Sequence, residues 1–137
     1  MKAKLGASGL MNPKVHDLLI DAKDPDILFA ATEGGIFQSL GSGESRDVLY
    51  DESPVLQIEP SAINPQIFYA VTAKNIIRSN DGGNNWANVW QDDVSNPLSI
   101  LALNTEPEFL YSGTQGGLLK SFNSGRNWVM DQNFSGT

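Results

Sequence analysis

Three stretches of this chain align without a gap: LFAATEGGIFQS (Leu28–Ser39), FYAVTAKNIIRS (Phe68–Ser79) and LYSGTQGGLLKS (Leu110–Ser121). Within them Thr32, Thr72 and Thr114 stand 40 and 42 residues apart, and Ser39, Ser79 and Ser121 keep the same steps. So do three upstream prolines, Pro25, Pro65 and Pro107. Chance seldom holds three landmarks in one register. A period of about 40 residues means that each unit is a supersecondary element that cannot bury its apolar face alone, so stacked neighbours must share a core.

Each unit divides into four short strands. An apolar run opens it, at Asp17–Ile20, Val55–Ile58 and Leu98–Leu103, and a proline turn follows, where the fixed φ of proline suits the bend. The second strand is expected at Leu28–Thr32, Phe68–Thr72 and Phe109–Thr114. A tight connection, Glu33-Gly34-Gly35, Ala73-Lys74-Asn75 or Gln115-Gly116-Gly117, leads to the third strand. Paired glycines supply the positive φ of two-residue hairpins, and asparagine also tolerates that region. Small residues in the second strand (Ala30, Ala70, Ser112, Gly113) let neighbouring sheets approach closely. No window carries a sustained helical period with caps. The expected class is all-β, with three four-stranded antiparallel β-propeller blades at 15–54, 55–97 and 98–137. Residues 1–14 precede them and are expected to complete a neighbouring blade.

After the third strand, the second unit continues Ser79-Asn80-Asp81-Gly82-Gly83-Asn84-Asn85-Trp86, and the third Ser121-Phe122-Asn123-Ser124-Gly125-Arg126-Asn127-Trp128. Both fit Ser-x-Asp/Asn-x-Gly-x-x-Trp. The first unit, from Ser39 to Arg46, keeps the serine and a glycine but loses the carboxylate and the tryptophan. The pattern resembles the Asp-box, or BNR repeat, over nearly the whole chain. Families with such boxes include sialidases, xyloglucanases, sortilin-like receptors and photosystem II assembly factors. The combination with a proline-turn strand looks most like the last group and its bacterial relatives. The resemblance implies a folding role for Ser79, Asp81, Gly83 and Trp86, and for Ser121, Asn123, Gly125 and Trp128. Asp81 would accept bonds from its own turn, Gly83 and Gly125 would be left-handed, and each tryptophan would bury its ring at the start of the fourth strand. The function implied is a non-catalytic binding or assembly scaffold. The alternative is a fragment or relative of a glycoside hydrolase whose catalytic residues lie elsewhere.

Composition narrows the partners. The 16 acidic residues outweigh the 9 basic ones by a formal charge of −7, and the basic residues are scattered singly. Phosphate backbones and anionic membranes both need clustered lysine and arginine, so neither is an expected partner. With no cysteine, disulfide scaffolds, thiolate metal sites and cysteine nucleophiles are all excluded. No apolar run approaches the roughly 20 residues of a membrane helix, and no signal peptide is read in Met1 to Met11. A soluble chain is expected, cytoplasmic if complete and extracytoplasmic if a fragment.

Catalysis finds little support. His16 is the sole histidine and stands at a strand start with no nucleophile motif nearby. Glycoside hydrolysis needs two carboxylates facing one sugar bond. The most visible pair, Asp92-Asp93, is adjacent in sequence and lies in an expected loop. Sialidases also use an arginine triad, but Arg46, Arg78 and Arg126 occupy three different repeat positions. The glycine-rich Asp81–Asn84 stretch lacks the alternating oxygens and distal glutamate of a calcium loop. No metal, cofactor or catalytic residue is assigned. Trp86 and Trp128 read as core, while Trp90 is free to face a sugar. The sequon Asn133-Phe134-Ser135 matters only for a secreted protein.

Propellers close with about four to eight blades. Three blades form a partial ring that a second copy would close to six, so a homodimer is the favoured assembly. In such a meander the proline turns and boxes share one end of the strands. The other end carries Glu33, Lys74, Asn75 and Gln115 on the hairpins, and Asp92 and Asp93 in a link. Those six are the expected ligand contacts, for a protein segment or a carbohydrate.

Overall fold

The computed structural model describes residues 13–41, 45–92 and 95–131. Twelve strands are present: β1 (Val15–Ile20), β2 (Leu28–Thr32), β3 (Gly35–Leu40), β4 (Ser45–Tyr50), β5 (Val55–Pro60), β6 (Phe68–Thr72), β7 (Asn75–Ser79), β8 (Ala87–Gln91), β9 (Leu101–Ala102), β10 (Leu110–Thr114), β11 (Gly117–Ser121) and β12 (Val129–Asp131). They form three four-stranded meanders, β1–β4, β5–β8 and β9–β12, and every pairing is antiparallel. The all-β class and the three blades are those expected from the repeat. No helix among the described residues is long and apolar enough to cross a membrane.

The register repeats as the sequence does. Leu28 pairs with Ser39, Phe68 with Ser79 and Leu110 with Ser121. The first strand of the first two blades carries a bulge at the same place, between Val15 and Asp17 and between Val55 and Gln57. In the third blade that irregularity consumes half the strand. Regular pairing holds only over Leu101–Ala102 instead of the expected Leu98–Leu103. Pro97 keeps an isolated bridge to Thr114, and the amides of Leu98 and Ser99 both converge on the Gly113 carbonyl, 2.7 and 3.3 Å away. A proline cannot donate to the ladder, and a glycine opposite gives it nothing to pack on.

The repeated threonines brace the hairpins. Thr32 Oγ1 accepts from the Gly34 amide and donates to the Gly35 carbonyl, both at 3.0 Å. Thr114 does the same with Gly116 and Gly117. Only the second glycine of each pair is left-handed, Gly35 at φ 118° and Gly117 at φ 134°. Asn75, at the equivalent place, keeps a negative φ. The expectation that both glycines and the asparagine supply positive φ is therefore corrected: the threonine brace is common to all three turns, Thr72 included, and only the second glycine of each glycine pair bends the other way.

Strand alternation sends successive side chains to opposite faces, and blade 2 is covered on both. All five residues of β6 are buried. Phe68 and Ala70 join Ile58 and Ile77 against Phe29, Ala31 and Ile36 of blade 1. Tyr69 and Val71 join Ile76 against Ile100, Leu110 and Leu119 of blade 3. At the first seam the Phe29 and Phe68 rings meet edge to face, with centroids 5.1 Å apart, a geometry that aromatic quadrupoles favour.

Candidate functional site

The two ends of the strands carry different kinds of loop. At one end each hairpin tip is fixed to the segment entering its own blade. The Glu33 amide donates to the Lys14 carbonyl, Ala73 to Pro54 and Gln115 to Asn96, each at 3.0 Å. At the other end the turns after β7 and β11 lie on the proline turns, through Gly82 to the Gln66 carbonyl and Ser124 to the Glu108 carbonyl, both at 2.9 Å.

Glu33, Lys74 and Gln115 are exposed at the first end. Glu33 meets His16 across the bulge, Oε2 to Nε2 at 2.5 Å. Asn75 is placed differently. It is only 9% exposed, its Nδ2 donates to Asn88 Oδ1 at 2.9 Å, and its Oδ1 takes the Thr72 hydroxyl. Its amide group is spent inside the sheet. Asp92 is half-buried beside the tips, and Asp93 lies outside the described residues. Trp90 packs half-buried on the core between blades 2 and 3.

The turns at the opposite end close on themselves. Ser79 Oγ accepts from the Gly83 amide at 2.8 Å and donates to Asp81 Oδ1 at 2.8 Å. Asp81 takes the amide of Asn85 at 2.9 Å and its side chain at 2.7 Å. These bonds, the Asn85 side chain first, hold the Asp81 carboxyl below its ordinary value. Trp86 Nε1 donates to the Gly83 carbonyl at 2.8 Å. In blade 3 Ser121, Gly125 and Trp128 repeat those contacts at 2.8 and 2.9 Å. There Asn123 stands in for the aspartate: its Oδ1 accepts from the Asn127 amide, and its Nδ2 donates to Asn127 Oδ1, both at 2.9 Å. Gly83 and Gly125 have positive φ, and so do Gly82 and Ser124 before them.

The arginines point to separate places. Arg78 lies 5.9 Å over the Tyr69 ring and donates to the Ser124 carbonyl at 3.1 Å. Arg46 lines the open face of blade 1, and Arg126 sits in the β11–β12 turn. No group of three or more histidines, aspartates and glutamates able to hold a metal occurs among the described residues.

Sequence reasoning missed the acidic groups that join the blades. Asp17 Oδ2 accepts from the Ile58 amide at 3.0 Å. Its repeat equivalent Gln57 accepts from the Ile100 amide at 2.9 Å and donates to the Ile100 carbonyl at 2.8 Å. Glu59 accepts from the Ala102 amide at 3.2 Å, although burial raises its pKa. Glu108, 1% exposed, reaches from blade 3 into blade 2 and takes the Ser61 hydroxyl, the Ala62 amide and the Tyr69 hydroxyl. A repeat alignment shows which positions correspond, but not which of them face each other across a seam.

No protein-family model matches the chain, and no curated protein matches it. Among solved structures it is similar to an ancestral GH74 enzyme, at 20% identity and TM-score 0.75 over 85% of this chain and 18% of that one. It is also similar to YCF48 from Cyanidioschyzon merolae, at 19% identity and TM-score 0.66 over 85% of this chain and 36% of that one. YCF48 bound to D1 peptide matches at 14% identity and TM-score 0.64, over 85% of this chain and 40% of that one. The chain thus spans well under half the length of each, and the shared property is the β-propeller fold.

Proposed function

We propose that the chain is a non-catalytic binding and assembly scaffold of Asp-box type, and that its contact surface is the hairpin-tip end of the blades. The observation that carries this reading is the unequal use of the two ends. At the box end, Ser79, Asp81, Asn85, Ser121 and Asn123 spend their polar atoms on their own turns. At the tip end, Glu33, Lys74 and Gln115 are exposed on backbone fixed by a bond to the blade entry. Rigid supports carrying dissimilar polar side chains suit recognition. Asp92 extends this surface. With a formal charge of −7 the chain suits a basic or neutral protein segment. The propeller likeness to YCF48 bound to D1 peptide supports such a partner. We assign the assembly as a homodimer, six blades in one ring.

A glycoside hydrolase fragment is the second reading, favoured by the likeness to the ancestral GH74 enzyme. It requires paired carboxylates facing a sugar bond, whereas Asp17, Glu59 and Glu108 face backbone amides of adjoining blades.

One titration and one assay separate the two. Isotope-labelled chain is titrated with a pool of lysine- and arginine-rich peptides and read by amide shifts. Shifts clustered at Glu33, Lys74, Asp92 and Gln115, with no turnover of xyloglucan or aryl glycosides, are expected. Turnover lost in Asp92→Asn or Asp93→Asn, or peptide shifts confined to the box end, overturns the scaffold reading.

A further inference from the structure

Exposed large apolar side chains gather at the two ends of the blade row. Val15, Leu18, Ile20 and Val48 of blade 1 are 44–58% exposed, and Leu101 and Val129 of blade 3 are 55% and 60% exposed. On blade 1, Val15 and Leu18 open onto a groove of about 400 Å³ lined by Leu18, Leu28, Ala30, Phe37, Ser39 and Arg46.

The repeat identifies this groove. Its lining residues correspond, one for one, to Ile58, Phe68, Ala70, Ile77, Ser79 and Trp86 of blade 2, the face on which blade 1 packs. In blade 3 they correspond to Ile100, Leu110, Ser112, Leu119, Ser121 and Trp128, the face on which blade 2 packs. Blade 1 thus presents the receiving face of an internal seam. The inserting face consists of Phe29, Ala31 and Ile36 at the first seam, and of Tyr69, Val71 and Ile76 at the second. Its equivalent on blade 3 is Tyr111, Gly113 and Leu118, with Leu101 beside them at the position of Glu59.

Resting on the homodimer assignment above, we propose that the groove of blade 1 receives the outer face of blade 3 from a second copy, in the register of the internal seams. In that register Leu101 meets Ile20 of the other copy, as Glu59 meets Ala102 within the chain. Tyr111 lies on Leu28, as Phe29 lies on Phe68.

The polar groups at the two ends match in what they lack. The internal seams are crossed by Asp17 and Gln57, which bind the amides of Ile58 and Ile100. Ser99 holds the equivalent position in blade 3 and is too short to cross. The amide that it would serve, that of Leu18, is already taken by Asp17 Oδ1 at 2.9 Å. At this position a side chain too short to cross thus meets an amide that needs no crossing group. A blade bearing a crossing carboxylate would find that amide occupied. This complementarity selects a copy of the same chain over a foreign blade. Two such contacts related by a two-fold rotation close a ring, as head-to-tail interfaces do when the rotation closes.

The test uses the intact chain and two substitutions at exposed positions, Ile20→Glu and Leu101→Arg, with mass read by light scattering behind a sizing column. The wild type is expected at twice the chain mass. Each variant alone is expected at the monomer mass with an unchanged far-ultraviolet circular dichroism spectrum. An equimolar mixture is expected to return to the dimer, because one of its seams is wild type and the other pairs arginine with glutamate. A wild-type dimer that both variants keep, or a mixture that stays monomeric, overturns this interface and leaves the tip-end scaffold reading standing. A monomeric wild type overturns the interface and the homodimer together. Peptide shifts at the tips report on the scaffold reading separately.

Discussion

Glu108 of the third blade accepts the hydroxyl of Tyr69 in the second at 2.8 Å, with both side chains buried. The same carboxylate takes the Ser61 hydroxyl at 2.9 and 3.0 Å and the Ala62 amide at 2.6 Å. Three donors from one blade therefore converge on one acceptor from the next. Arg78 covers the outer side of the Tyr69 ring and is bonded to the Ser124 carbonyl. The seam between blades 2 and 3 is thus keyed by a polar cluster at its proline-turn end, in addition to its apolar core.

Removing the acceptor strands its donors. Glu108→Ala leaves a hydroxyl, an amide and a phenol without their partner in a buried site, where each unsatisfied group costs about 1–3 kcal/mol. A net loss of about 2–5 kcal/mol is expected after water enters the space left behind. Urea unfolding monitored by tryptophan fluorescence measures it. A loss below about 1 kcal/mol would show that the cluster does not hold the seam.

Tyr69 gives the same cluster an alkaline limit. Burial first, and then the Glu108 carboxylate, raise its phenol above the ordinary value of 10.0. The folded state thus favours the protonated phenol. The stability this contributes is complete below pH 10.0 and is lost as pH rises from there towards the folded pKa. Unfolding followed from pH 9 to 12 is expected to steepen in the wild type and to flatten in Tyr69→Phe. Equal slopes in the two proteins would remove Tyr69 as the cause.

Much of this architecture is legible in the chain itself, and the reason is local. Short continuous apolar runs bounded by proline and glycine turns specify strands such as Leu28–Thr32 and Phe68–Thr72 without any distant partner. The failure at Leu98–Leu103 is also local, since Pro97 and Gly113 weaken the ladder from both sides. The seam residues are another matter. Asp17, Gln57 and Glu108 read as ordinary polar positions because their partners stand about one repeat away, and the sequence carries no mark of which strands will face each other. Asn75 looks like a hairpin tip for the same reason. Its bond to Asn88 depends on β8 folding back beside β7.

Asp81 and Asn123 offer a natural comparison within one chain. Each organises its turn, but only the aspartate titrates. Bonds from Asn85 depress its pKa, so its contribution is present above the unfolded value of 3.8 and fades as pH falls through the lower folded value. Asp81→Asn should therefore keep the turn, as Asn123 does in blade 3, and abolish the acid-limb dependence assigned to this group. Carbon-detected carboxyl titration of the wild type, with acid unfolding of the variant, tests both halves. An unchanged acid limb in Asp81→Asn would contradict the assignment.

The two glycines after Thr32 look interchangeable in sequence and are not. A Cβ at Gly35 would stand 1.8 Å from the Tyr50 carbonyl oxygen, at a φ of 118° that L-residues rarely adopt. A Cβ at Gly34 would meet nothing nearer than Phe37 Cζ at 3.5 Å, an ordinary contact. The backbone of β4 cannot retreat from Gly35 without breaking its pairing with β3, so strain and steric overlap add. Gly35→Ala is expected to lose at least about 2 kcal/mol, since an unfavourable φ alone costs of order 1–3 kcal/mol. Gly34→Ala is expected to fall between neutral and about 1 kcal/mol more stable, because alanine restricts the unfolded chain at a position it can occupy without strain. Thermal unfolding of the two variants side by side decides the matter. A Gly34→Ala protein as damaged as Gly35→Ala would mean that both positions, and not the threonine brace with one left-handed residue, make the turn.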